Sequence, residues 1–127
     1  MKHTGKKIVK IVEELTMYFI SMESDKIESS IHREENQYVI HFHSIFNPEY
    51  RENLNSLKKY LNTPRNEAME DLYWELAGSG DPGESSQLLL VGMMIDQADI
   101  FIHDKENSID VTLYRKILNT KEEPLLY

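Results

Sequence analysis

Three groups of residues in this 127-residue chain have types and spacings that could do chemistry. Gly78, Gly80 and Gly83 form a G-x-G-x-x-G ahead of an apolar run that begins at Leu88. A glycine-rich loop feeding a helix N-terminus offers free N–H groups and a positive dipole end to a phosphate. A dinucleotide fold needs that loop to follow a strand. Here Ala68, Met69, Leu72, Tyr73 and Leu76 precede it at helical spacing, which removes the Rossmann context. The loop is then either an anion cradle of another kind or a turn in which Gly78 ends one helix and Asp81-Pro82-Gly83 leads into the next. Glu13 and Glu14 could supply a general base, but adjacent helix positions point in different directions and such a pair ordinarily faces water. His41 and His43 share one strand face, with His32 able to lie across from them. That is metal-site geometry, and equally the makeup of a wet sheet face, so no metal ligand is assigned. No Ser/His/Asp order is legible around His103.

Composition narrows the chemistry. The formal charge is −8, from 22 acidic and 14 basic residues, which opposes binding to nucleic acid or an anionic membrane and favours basic partners. The absence of cysteine excludes disulfides, zinc–thiolate sites and a thiol nucleophile. Met1 to Lys10 is basic but leads into an amphipathic segment containing Glu13 and Glu14, not a signal core, and the run Leu88 to Ile95 is far shorter than the roughly 20 residues of a membrane span. A cytoplasmic location is expected, with no membrane partner. At 40% hydrophobic content, one domain over residues 1–118 and a loosely held tail over 119–127 are expected.

The elements that must position these groups follow from periodicity. Ile8, Ile11, Val12, Leu15, Phe19 and Met22 make one helical stripe between Lys6 and Met22. Ile27, Ser29 and Ile31 alternate with polar neighbours, as do Tyr38, Ile40 and Phe42, and the polar turn Glu34 to Gln37 joins the two runs as a hairpin. Asn47-Pro48 caps a helix whose apolar face is Tyr50, Leu54, Leu57 and Leu61. Thr63-Pro64 starts another, which runs to about Leu76 and holds Trp74. Ser85 or Ser86 caps a helix that is apolar nearly all round from Leu88 to Ile95, hence buried. Ile100 and Ile102, then Ile109, Val111 and Leu113, form a second hairpin across Asp104 to Asn107. These elements predict an α/β two-layer sandwich: a four-stranded mixed sheet from two hairpins, helices on one face, and the helices from Pro48 to Leu76 over the open end.

This order resembles the GHKL superfamily, which includes the ATP-binding domains of histidine kinases and the anti-sigma-factor serine kinases. The stretch Leu89-Leu-Val-Gly-Met-Met-Ile-Asp-Gln-Ala-Asp-Ile-Phe-Ile resembles the family's last helix running into a strand, and Ser108-Ile-Asp-Val-Thr-Leu-Tyr-Arg-Lys its closing strand. The resemblance implies three ATP motifs. A glutamate base followed four residues later by a magnesium-binding asparagine corresponds to Glu13, a relic base, and Met17, whose thioether suits a hard cation poorly. The Asp-x-Gly-x-Gly that reads adenine corresponds to Ser44-Ile-Phe-Asn-Pro48, with a hydroxyl for the carboxylate and Phe46 and Pro48 for the glycines. The phosphate-cradling glycines correspond to Ser85, Ser86 and Gln87, with Gly78, Gly80 and Gly83 displaced upstream.

With its motifs altered in this way, the resemblance implies a degenerate histidine-kinase-like domain that regulates by gripping a protein partner in signal transduction or transcription control, with no cofactor and no ATP turnover. Seven residues precede Ile8, too few for the phosphoacceptor helical hairpin of a sensor kinase. The partner surface expected is the stretch where Tyr50, Tyr60, Tyr73 and Trp74 interleave with Arg51, Lys58, Lys59 and Arg65. The alternative is a divergent Mg-ATP-binding kinase or ATPase using the Gly78–Gly83 loop.

Overall fold

The computed structural model describes residues 4–66, 68–69 and 85–117. The helix expected to start at Thr63-Pro64 does not start there: residues 63–66 are not helical, residues 68–69 are, and the Asn66 side chain accepts from the Met69 N–H at 3.1 Å. The stretch expected to run on to Leu76, the glycine loop, Tyr73, Trp74 and the tail 119–127 lie outside the described residues.

Helix α1 spans Thr4–Ser21 and buries Ile8, Ile11, Leu15, Tyr18 and Phe19 along the expected stripe. It ends without glycine: Glu23 takes the left-handed conformation at φ 56°, and the Ser24 N–H donates to the Phe19 carbonyl at 3.2 Å. Strands β1 (Lys26–Glu34) and β2 (Gln37–Ile45) form the first hairpin across Glu35-Asn36. Asn47 then caps as its sequence predicts, its side chain accepting from the Glu49 N–H at 3.0 Å with Pro48 next. The turn it starts is a 3₁₀ helix, Pro48–Asn53, before α2 (Leu54–Leu61) buries Leu54, Leu57 and Leu61. Helix α3 spans Ser85–Met93. Its expected extension to Ile95 is replaced by a tightened last turn, with Met94 bonded back to Val91 and Ile95 to Gly92. Strands β3 (Gln97–His103) and β4 (Ser108–Lys116) complete the fold, joined by a 3₁₀ turn, Asp104–Glu106, and by Asn107 at φ 52°.

The sheet contains both hairpins in the order β1-β2-β4-β3, and every neighbouring pair is antiparallel. The expectation of a mixed sheet is therefore corrected. Because β3 and β4 are antiparallel to each other and β4 to β2, the crossover through α2 and α3 leaves β2 and β3 running the same way. A parallel pair would arise only if β3 docked directly on β2. Strand β4 takes that place because it is the more apolar: its Ile109, Val111 and Leu113 are fully buried, while Ala98, Ile100 and Ile102 of β3 are half-buried.

Helices cover one sheet face, as the sequence predicts. Residues directly opposite share a face, so Ile40, Phe42 and Ser44 of β2 join Ile109, Val111 and Leu113 of β4 beneath α1, α2 and α3. Phe19 meets Phe42 at 6.0 Å between ring centroids, and Tyr18 packs edge-on to Phe19. The opposite face carries His41, His43, Asp110, Thr112 and Phe101. Among the described residues, no helix is long and apolar enough to cross a membrane.

Candidate functional site

Of the positions that the family resemblance aligns with ATP binding, Ser44, Phe46, Asn47 and Pro48 lie at the end of β2 and the start of the 3₁₀ helix. Ser44 is 0% exposed, lying between Ile27 of β1 and Ile109 of β4, and its hydroxyl has no hydrogen-bond partner among the described residues. Phe46, 2% exposed, belongs to the hydrophobic core, and its N–H donates to the Asn107 carbonyl at 2.8 Å. Asn47 and Pro48 are spent on starting the 3₁₀ helix. The Tyr18 hydroxyl donates to the Asn53 carbonyl at 3.2 Å and ties α1 to the end of that helix; burial pushes its pKa up to about 12.

Glu13 does not point into this region. It lies at the surface beside Lys10, 3.6 Å from its ammonium, and Met17 is exposed on the same side. The enclosed carboxylate is Glu14, one residue on and fully buried, with Lys7 buried two turns earlier on the same side of α1. A shift of one position turns a helix by about 100°, which separates a solvated glutamate from an enclosed one. The signal that could have found Glu14 is its place four residues before Tyr18 and three after Ile11, inside the apolar stripe. Arg115 is the third buried charge: its guanidinium donates to the Met94 carbonyl at 2.8 Å, at the C-terminal end of α3 where a cation is favoured. Asp96, at the corner between α3 and β3, accepts from Arg65 at 2.9 Å and from the Lys116 N–H at 2.6 Å.

Ser85 and Ser86 open α3, and Gly78, Gly80 and Gly83 fall outside the described residues. Of the expected partner residues, Tyr50 and Tyr60 are half-buried and pack against the core, while Tyr73 and Trp74 are outside the described residues. The Tyr50 hydroxyl donates to Glu23 at 3.3 Å, and the Glu23 charge raises its pKa above the ordinary value. Arg51 pairs with Asp104, whose carboxyl it holds below its usual range by hydrogen bonding.

A second constellation occupies the open sheet face. Three imidazoles surround Asp110: Oδ1 is hydrogen-bonded to His43 Nδ1 at 3.0 Å and Oδ2 to His103 Nε2 at 3.1 Å, while His41 Nε2 lies 3.2 Å from Oδ1 as a charge partner. Partial burial alone would raise the Asp110 pKa; the hydrogen bond and charge of His43, joined by His103 and His41, outweigh it and hold the carboxyl below its ordinary value. The sequence pattern groups His41 and His43 with His32; His32 does lie on the same sheet face, opposite Val39 and diagonal to His41, but it is not among the partners of Asp110. The fourth member came from β4, whose register no local pattern encodes. The imidazoles surround the carboxylate and do not converge on a common point. No group of three or more such ligands among the described residues is placed to hold a metal ion.

Comparison of the chain with family models, with curated proteins and with solved structures finds no match.

Proposed function

We propose that this chain is a degenerate histidine-kinase-like domain of GHKL type that acts as a cytoplasmic protein-binding regulator, in signal transduction or transcription control, without ATP turnover. The observation that carries this reading is the enclosure of Ser44 and Phe46 in the core. A nucleotide-reading carboxylate must face a cavity wide enough for a base, with flexible backbone beside it. At these two positions the chain has a buried hydroxyl and a packed phenyl ring. Met17 at the surface adds a poor magnesium ligand to these losses. The acidic surface, net −8, and the half-exposed Tyr50 and Tyr60 beside Arg51, Lys58 and Lys59 support a protein partner over a small anion.

Each lost buried hydrogen-bonding partner removes about 1–3 kcal/mol, so two such losses reduce nucleotide affinity by roughly two to four decades. Titration calorimetry with ATP or ADP, with and without magnesium, is expected to give no saturable heat at micromolar nucleotide. Saturable micromolar binding that Gly80→Val or Gly83→Val weakens would overturn the reading in favour of a divergent kinase or ATPase working through the glycine loop.

A further inference from the structure

Strand β1 is an edge strand whose free side is self-complementary, and we infer that it is a homodimerisation edge that receives β1 of a second copy of this chain, antiparallel and centred on Ser30, to give a continuous eight-stranded sheet. Two observations carry this. The first is which backbone groups are free. The Phe46 N–H bonds the Asn107 carbonyl in continuation of the β2–β4 register, so even-numbered residues of β2 direct their backbone groups to β4 and odd-numbered ones to β1. The β1 residues opposite those odd positions are Lys26, Glu28, Ser30, His32 and Glu34. Ile27, Ser29 and Ile31 are left with N–H and C=O groups aimed at the open edge, where no described residue pairs with them. Along nearly its whole length β1 is exposed, and Ile31 keeps 50% of its surface on the helix-facing side.

The second observation is the charge pattern. A two-fold axis perpendicular to the sheet keeps like faces together, so the centre must fall on a residue and not between two. Centred on Ser30, all nine residues pair. Lys26 then lies opposite Glu34 of the second copy and Glu28 opposite its His32, each contact occurring twice, and Ser30 lies opposite its own copy on the axis. These are the narrow pairs, in which side chains approach most closely, while Ile27, Ser29 and Ile31 make the ladder bonds. Ile31 faces Ser29 of the second copy and meets the second Ile31 diagonally. Moving the centre one residue either way removes the match: on Ser29, Lys26 opposes His32, and on Ile31, Glu28 opposes Glu34. Charged side chains on an edge normally repel a passing strand. Here they repel other registers and accept their own. The other edge, β3, lacks the property, since centring it on Ile100 sets Asp99 against Phe101.

The test is sedimentation equilibrium of the full chain from roughly 10 µM to 1 mM, the range suited to a small interface, at about 0.15 M salt, which screens the two −8 charges beyond about 8 Å. The mass is expected to rise from 14.9 kDa toward twice that value. Ser29→Pro removes an edge-facing N–H without touching the β1–β2 ladder and is expected to weaken the dimer about tenfold or more, with circular dichroism unchanged. Lys26→Glu sets a carboxylate against Glu34 and weakens it too, and Lys26→Glu with Glu34→Lys restores it. Because the chain has no cysteine, Ser30→Cys is expected to cross-link on oxidation and His32→Cys to stay monomeric. A monomer at every concentration overturns the inference, as does a dimer indifferent to both Ser29→Pro and Lys26→Glu. Cross-linking of His32→Cys in preference to Ser30→Cys overturns the register.

Discussion

Asp110 contacts three imidazoles drawn from two neighbouring strands, so one carboxylate fastens β2 and β3 to β4 on the side of the sheet that none of the described helices covers. Its folded-state pKa lies below its unfolded value, so the stabilisation it provides is fully present above the ordinary 3.8 and disappears as pH falls through the lower, folded value. The imidazoles that hold it are each about a third or more exposed to solvent, which screens the pairing, so the effect is about 1 kcal/mol or less at neutral pH. Asp110→Asn is expected to lower the urea midpoint relative to the parent at pH 7, with the difference closing as the pH falls below the ordinary carboxylate range. A difference that persists unchanged into that acid range would exclude the carboxylate charge as its source. At this scale the sequence was least legible. Glu13 and Glu14 differ in environment because of a turn of the helix, and the buried trio Lys7, Glu14 and Arg115 consists of residue types that ordinarily mark surface. Asp110 acquired its role from strand pairing over 67 residues of separation from His43.

At the scale of elements, apolar spacing and caps made α1, both hairpins, α2 and α3 readable, while the exposure of Leu89 on α3, the 3₁₀ start of α2 and the direction of β4 were not. Asn47-Pro48 is the same start signal for a 3₁₀ turn and an α-helix. Alternation fixes which face of β4 is buried but is blind to strand direction. Gly92 in α3 is a further case: in sequence it interrupts a helix that glycine weakens by about 1 kcal/mol. In the fold a methyl there would overlap the Tyr60 carbonyl oxygen and press on Thr63 Cβ at 3.2 Å, so the glycine is what lets α2 and α3 approach. Gly92→Ala therefore sets a helix-propensity gain of about 1 kcal/mol against overpacking of about 3 kcal/mol on a backbone atom that cannot move aside. Overpacking wins, and the thermal midpoint should fall, on the order of 5–10 °C for a domain of this size. A midpoint that rises would mean the contact between α2 and α3 is looser than described.

At the scale of the whole molecule, the described residues form a one-sided sandwich, with α1, α2 and α3 packed on a sheet that has β2 and β4 at its centre and β1 and β3 at its edges. Such a layout predicts how amide protons exchange. Opening free energy is highest where a strand is bonded on both sides and buried beneath helices, so amides of Ile40, Phe42, Val111 and Leu113 should exchange only near global unfolding. In β1 protection should alternate. The amides of Glu28, Ser30 and His32 bond to β2, while those of Ile27, Ser29 and Ile31 face the open edge, so the second set should exchange about two decades faster in dilute solution. Raising the protein concentration should then slow the odd-numbered set selectively, because the β1–β1 ladder uses those amides and no others. This needs no substitution and reads the edge directly. Uniform protection along β1 in dilute solution would contradict the assignment of its free side. Concentration-dependent protection around Val9 and Ile20, the exposed apolar residues of α1, with none in β1, would place self-association on the helix and not on the sheet.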